Sequence, residues 1–206
     1  MNQTFKRLAK PVYQVFANQA TKKKIERALA ENDSVYLELG AGKKKGSNGW
    51  LTIDLNRCCD LSWDLRKGIP FPDNSLEKLY SSHLFEHLSY RESQKFLDEC
   101  LRVLKPGGTF SICVPNARIY IEAYVNRDTK LEGFFGHKPA YNNTTRIDYV
   151  NYVAYLGGEH KHMFDEDSML HILSEKGFKN VRLRDFDPET DLEARHFESL
   201  YAIGEK

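Results

Sequence analysis

The sequence predicts an α/β fold with a largely parallel sheet, and three observations predict it. Short apolar runs alternate with segments of helical period, the first run breaks into a glycine turn, and acidic residues end successive runs. Residues 2–31 read as helical, in two pieces broken near Pro11, which gives an N-terminal segment (1–32) ahead of one domain (33–206). Val35-Tyr36-Leu37-Glu38-Leu39 is the first strand and ends at Gly40-Ala41-Gly42; Trp50-Leu51-Thr52-Ile53-Asp54 is the second. Leu61–Leu65 suggests a third, and Lys78–Ser82 is the fourth, after a turn-rich stretch with Gly68, Pro70, Pro72, Asp73 and Asn74. Arg91–Leu104 places Phe96, Leu97, Leu101 and Leu104 on one helical face and stops at Lys105-Pro106-Gly107-Gly108. Thr109–Val114 is the fifth strand, Asp165–Lys176 a helix closed by Gly177, and Val181–Phe186 and Ser199–Ile203 are late strands. Residues 116–160 break the alternation and carry Tyr120, Tyr124, Phe134, Phe135, Tyr141, Tyr149, Tyr152 and Tyr155, so they read as an aromatic insertion over the carboxyl edge of the sheet.

A chain of 206 residues is long enough to bury a full core as one such domain. Its formal net charge of +1 gives no global field that would attract nucleic acid or an acidic partner. Lys6, Arg7, Lys10, Lys22, Lys23, Lys24 and Arg27 cluster near the start, read as a solvated helix face ahead of a membrane-surface contact. Cys58, Cys59, Cys100 and Cys113 lack C-x-x-C spacing, as expected of reduced thiols in a cytoplasmic protein. There is no signal-like apolar stretch and no run of about 18 apolar residues, so no membrane span is predicted.

The glycine turn after the first strand lets a ligand approach the backbone closely. Dinucleotides and S-adenosylmethionine both use such a turn, but the dinucleotide fingerprint needs G-x-G-x-x-G, and here the glycines fall at 40, 42 and 46. Glu38 stands two residues before the first glycine, where its charge suits the sulfonium and ammonium of the methyl donor and not a pyrophosphate. Asp54 ends the second strand, placed to accept from both ribose hydroxyls; Asp64 and Leu65 end the third, placed for the adenine amino group and ring. With Gly40, Ala41, Gly42, Ser82 and His83 these residues make the predicted S-adenosylmethionine site.

Leu37-Glu38-Leu39-Gly40-Ala41-Gly42, the stretch Asp64–Ser75 and Leu101–Gly108 resemble the class I S-adenosylmethionine-dependent methyltransferases. The run Ser81-Ser82-His83-Leu84-Phe85-Glu86-His87-Leu88 is similar to that of a bacterial branch in which sugar or polysaccharide modification is often inferred. The resemblance implies a Rossmann-like three-layer sandwich, a seven-stranded sheet with its last strand antiparallel, and methyl transfer to a small-molecule or carbohydrate acceptor. One feature departs from the family: only residues 43–49 separate Gly42 from Trp50, too few for the usual crossover helix. Of the ways to hold the donor's carboxylate, Lys43, Lys44 or Lys45 remain, although three lysines on a loop are more often solvated.

His83 follows the fourth strand directly and is the first candidate for a base on the acceptor; His160, in Gly157-Gly158-Glu159-His160-Lys161-His162, is the second. Alternation points His160 and His162 the same way. His83-Leu84-Phe85-Glu86-His87 also matches H-x-x-E-H, a zinc-peptidase pattern that works only where both histidines share one helical face. Its place on a strand-to-helix link argues against a zinc hydrolase, and no metal is expected. Glu86 and His87 read instead as a hydrogen-bond network at the start of the next helix. A non-catalytic donor-binding protein is the remaining alternative, and an enclosing insertion argues against it.

Overall fold

The computed structural model describes residues 19–127 and 145–206. Residues 19–31 are helical (α1), followed by β1 (Tyr36–Leu39), β2 (Trp50–Asp54), β3 (Leu61–Ser62) and β4 (Leu76–Ser82). Then come α2 (Tyr90–Val103), β5 (Leu104–Pro115), α3 (Ala117–Val125), α4 (Ile147–Tyr155), α5 (Glu166–Glu175), β6 (Lys179–Leu183) and β7 (Ser199–Glu205). The seven strands form one sheet in the order β3-β2-β1-β4-β5-β7-β6. Neighbours pair in parallel except β7, which runs antiparallel to both β5 and β6.

Period-two alternation decides which side of the sheet is the core. The register sets Leu37 beside Leu51 and Leu79, Leu39 beside Ile53, and Phe110 beside Leu79, all on one face. All but Leu51, which is partly buried against them, are buried together with Phe96, Leu97, Cys100 and Val103 of α2 and Met169 and Leu173 of α5; Ile25 of α1 joins the same cluster. Fully burying one such side chain is worth about 1.5–3 kcal/mol. A one-residue slip would instead turn Tyr36, Glu38 and Lys78 inward, so the register is fixed. The opposite face carries Tyr80, Cys113 and Tyr201, with Trp50 and Phe186 packed against them. Its cover is the non-helical segment around Phe186 and Asp191, where Tyr80 Oη donates to Asp191 Oδ1 at 2.8 Å. The flanking layers are therefore unlike each other: helices on the aliphatic face, an irregular segment on the aromatic one.

The expected short crossover is present. Residues 40–49 join β1 to β2 with no helix, and residues 55–60 join β2 to β3 in the same way. Asp60 holds the first link in place: its Oδ2 accepts from Gly46 N, Thr52 N and Thr52 Oγ1 at 2.8, 3.1 and 2.9 Å. A Cβ on Gly46 would lie 2.0 Å from the Trp50 carbonyl oxygen, so the third glycine serves close chain packing.

Several boundaries differ from expectation. The third strand stops at Ser62; Asp64 instead caps a 3-10 turn at Leu65–Lys67, accepting from Arg66 N. The Lys105–Gly108 run lies within β5, after the helix has ended at Val103. The expected insertion contributes α3 and α4, whose Tyr120 and Val153 form a small core with Ala117. Phe134, Phe135 and Tyr141 lie outside the described residues, as do Lys6, Arg7, Lys10 and the expected break near Pro11. Lys22, Lys23, Lys24 and Arg27 are exposed on α1. Among the described residues, no helix is long and apolar enough to cross a membrane.

Candidate active site

The carboxyl ends of β1, β2 and β4 meet along one edge, as a parallel sheet requires of a ligand site. Gly40 N and Ala41 N both donate to Ile53 O, at 2.9 and 3.3 Å, so the end of β2 ties down the glycine turn. Gly40 has φ 75°, and a Cβ there would meet Leu84 at 2.7 Å. Gly42 has φ 64° and open space beyond it. Asp54 accepts from Gly42 N at 2.9 Å and from Asn56 N at 2.7 Å, one bond on each carboxylate oxygen. Each oxygen keeps further acceptor capacity, which is what two ribose hydroxyls need.

The other predicted donor-site residues fall into two groups. Ser82 ends β4, next to the Tyr80 hydroxyl and Cys113 thiol, and Leu65 packs on the main core. Glu38 and Asp64, by contrast, already have cationic partners. Lys44 Nζ lies 2.8 Å from Glu38 Oε2, and Arg66 Nε and Nη2 lie 2.9 and 3.0 Å from the Asp64 carboxylate. The Arg66 hydrogen bonds hold the Asp64 carboxyl below its usual range. Glu38 thus anchors the short crossover through Lys44. Lys45 bonds Cys59 O at 3.0 Å, which leaves Lys43, exposed, as the lysine of the three without such a tie among the described residues. The open space at Gly42 and the residual capacity of Asp54 fit the methyl donor.

Beyond β4 lies a cavity of about 350 Å³ lined by His83, Glu86, His87, His160, Arg195 and Glu198, among others. His83 has φ 48°, a left-handed turn, and its amide donates to Cys113 O at 2.9 Å. Phe85–His87 is a separate 3-10 turn ahead of α2, so Glu86 and His87 do not begin the helix as expected. Nor does Glu86 join a hydrogen-bond network. It is 1% exposed, and among the described residues no other residue hydrogen-bonds either of its carboxylate oxygens. The Glu86 carbonyl explains how His160 arrives: it accepts from Lys161 N at 2.8 Å, clasping the returning chain against the turn.

Proton positions follow from the partners. Ser199 Oγ donates its only proton to Arg195 O at 2.7 Å, so at 2.8 Å from that oxygen His83 Nε2 must be the donor. His83 Nδ1 is then bare and faces Glu86 Oε1 at 3.6 Å. A bare nitrogen repels a carboxylate, which favours the protonated acid. Burial acts in the same direction, pushing the Glu86 carboxyl up to about 8 and the His83 imidazole down to about 3. His160 Nδ1 lies 2.7 Å from Val153 O and therefore carries the proton, leaving Nε2 bare. Burial, countered by the Val153 bond, lowers its basicity and keeps it neutral. His162 departs from the expected alternation: its Nδ1 meets Leu88 O at 3.2 Å and its ring stacks on Phe164, away from the cavity. Arg195 and Glu198 come from a late turn with no motif to announce them, while H-x-x-E-H carried the signal for Glu86 and His87.

A methyltransferase domain model matches residues 3–112, more than half of the chain. A probable S-adenosylmethionine-dependent methyltransferase of Mycolicibacterium smegmatis is 37% identical over 75 residues, covering 34% of this chain and 27% of that protein. A demethylmenaquinone methyltransferase of Tropheryma whipplei is 28% identical over 144 residues, 64% of this chain and 54% of its own. This chain thus matches between a quarter and about half the length of these curated relatives. In fold, a Mesorhizobium loti S-adenosylmethionine-dependent methyltransferase superposes with a TM-score of 0.52 at 17% identity, covering 88% of this chain and 96% of its own. The strand order and this likeness define a Rossmann-like α/β fold. The chain belongs to the methyltransferase domain family.

Proposed function

We propose that this chain transfers the methyl group of S-adenosylmethionine to a hydroxyl of a small molecule or glycan held in the cavity of His83, Glu86, His87 and His160. The observation that carries this reading is that cavity: it opens one residue after β4 ends at Ser82, and its lining is ionisable and polar, suited to a hydroxyl-bearing acceptor. Asp54 would hold the ribose, the Gly40–Gly42 turn would let the donor lie close to the backbone, and Lys43 is free to meet its carboxylate. The sulfonium supplies an already activated methyl group. The chain's own task is then in-line positioning of the acceptor and disposal of its proton. On transfer, the acceptor oxygen gains the methyl carbon as the carbon–sulfur bond breaks, and the hydroxyl proton leaves.

His160 suits acceptor activation better than His83, which reverses the order expected from sequence. The bare Nε2 of His160 is the nitrogen left for the cavity, whereas the bare Nδ1 of His83 is turned to Glu86. A base with a pKa of about 3 is also poorly matched to neutral pH. An acceptor cavity with such a cluster argues against a protein that only binds the donor. Incubation with labelled S-adenosylmethionine and a panel of nucleotide sugars, lipid-linked glycans and small phenols tests the reading. Label transferred to a hydroxyl is the expected result. Donor binding with no transfer to any hydroxyl acceptor would leave the donor-binding alternative, and binding of NAD in place of the donor would overturn both.

A further inference from the structure

We propose that Glu86, His87 and His160 form a binding site for one divalent cation of borderline character (zinc, manganese or cobalt), open to the cavity. One potential ligand atom from each of the three side chains lies within 4.8 Å of the others. Ligands about 2.0–2.2 Å from one ion stand roughly 3–3.5 Å apart, so modest side-chain rotations close the set. Two imidazoles and a carboxylate select such cations over magnesium or calcium, which prefer all-oxygen shells.

Two independent features point to an ion. Glu86 is nine-tenths and more buried and lines the cavity. Among the described residues it receives no hydrogen bond from any other residue on either carboxylate oxygen, with only its own backbone amide nearby, an arrangement native proteins rarely leave unanswered. His83 Nδ1 at 3.6 Å and His87 Nε2 at 3.9 Å stand too far off to satisfy it. The two ligand imidazoles are, in addition, oriented from behind. His160 Nδ1 is fixed on Val153 O at 2.7 Å and His87 Nδ1 lies 3.3 Å from Glu159 O, which leaves an Nε2 lone pair on each ring for the ion. Backbone carbonyls fix metal-binding histidines in this way. The His87 and His160 rings meet edge to face, with centroids 4.9 Å apart.

Sequence argued against a metal because H-x-x-E-H was not within a helix, and the fold bears out that objection for His83, which sits in a left-handed turn. The site replaces His83 with His160, brought in by the chain returning from the insertion, and makes Glu86 a ligand. Three protein ligands would leave positions for an acceptor oxygen, whose hydroxyl the ion would acidify so that its proton passes to water; with the ion bound, His160 would act as a ligand and not as the base. That role rests on the proposed methyl transfer, whereas the ion site itself does not.

The test titrates tag-free, chelator-treated full-length protein with Zn²⁺, Mn²⁺ or Co²⁺ by calorimetry and measures metal retained after gel filtration. One equivalent per chain is expected, with a Co²⁺ visible spectrum showing nitrogen and oxygen ligation. Glu86→Gln and His160→Ala should each weaken binding about tenfold or more, and His171→Ala, exposed on α5, should not. Circular dichroism verifies folding of each variant; if Glu86→Gln does not fold, His87→Ala and the wild-type Co²⁺ spectrum decide. No stoichiometric binding, or an equivalent retained by both site variants, overturns the site. Donor calorimetry separates the two readings: donor binding without metal defeats the ion site alone, and metal binding without the donor defeats the methyl-transfer reading alone.

Discussion

Asp54 has one observed role and one proposed role, and they can be measured apart. Its Oδ2 fixes the Gly42 amide and its Oδ1 the Asn56 amide, while the same oxygens are assigned to the donor's ribose. Asp54→Ala is expected to weaken donor binding by about 1–3 kcal/mol, the range for hydrogen bonds to a charged group, read by calorimetry. An unchanged dissociation constant would place the ribose elsewhere. The histidines give a second contrast. His160→Ala should lower turnover by about 10²–10⁴-fold with donor affinity within a few-fold of wild type. His83→Ala should leave more than about a tenth of turnover, because its bare nitrogen faces Glu86. Equal losses in both variants would refute that distinction. His83 as a cavity residue was legible from its place after strand four. The direction of its free nitrogen was not, since that depends on a serine 116 positions away.

The β1–β2 crossover is the element that sets this chain apart, and Asp60 is the carboxylate that pins its middle to β2. Asp60 accepts three hydrogen bonds from the link and from β2, and its own amide donates to Thr52 Oγ1 at 3.0 Å. Burial raises its carboxyl, but the bonds from Thr52 and Gly46, with Lys45 nearby, outweigh burial and hold it below the usual range. Its contribution is therefore full above the ordinary aspartate pKa and is lost as pH falls through the lowered value. Asp60→Ala leaves amides without partners, each worth about 1–3 kcal/mol, so urea unfolding should show a loss of about 3 kcal/mol. A loss under 1 kcal/mol would show that the link holds itself. The shortness of this link was legible by counting from Gly42 to Trp50, and so was the lack of a helix. Asp60 was not, because its partners lie on a different segment and no local pattern marks it.

At the scale of the molecule, the aromatic face of the sheet is held by a buried ion pair. Arg184 Nη1 and Nη2 lie 2.6 and 2.7 Å from the Asp191 carboxylate, which also accepts from Tyr80 Oη and Asp187 N. This ties the segment after β6 to the centre of the sheet. Removing one partner of a buried pair leaves the other charge stranded, so Arg184→Met should destabilise the fold by about 3–5 kcal/mol in urea unfolding. Adding Asp191→Asn should recover part of that loss; no recovery would mean that Arg184 acts through packing on Tyr201. Burial opposes the ionised Asp191, yet Arg184, the Asp187 amide and Tyr80 win and hold its carboxyl below the usual range. This contribution also disappears in acid, as pH falls below the ordinary aspartate value.

The strands and the glycine turn followed from the sequence alone, because period-two burial and turn chemistry are local properties. The short crossover and the position of His83 after β4 followed for the same reason, and the family followed from the resemblance of its motifs. Of the three expected acidic strand ends only Asp54 holds, with Glu38 inside β1 and Asp64 beyond β3. What only the tertiary structure decided was which groups meet. Lys44 neutralises Glu38 and Arg66 engages Asp64, so two of the three acids expected to face the donor have partners already. His160 reaches Glu86 through a backbone clasp between segments 74 residues apart, counted from 86 to 160. An unpartnered carboxylate has no signature in sequence, since it is defined by what the rest of the fold fails to bring to it.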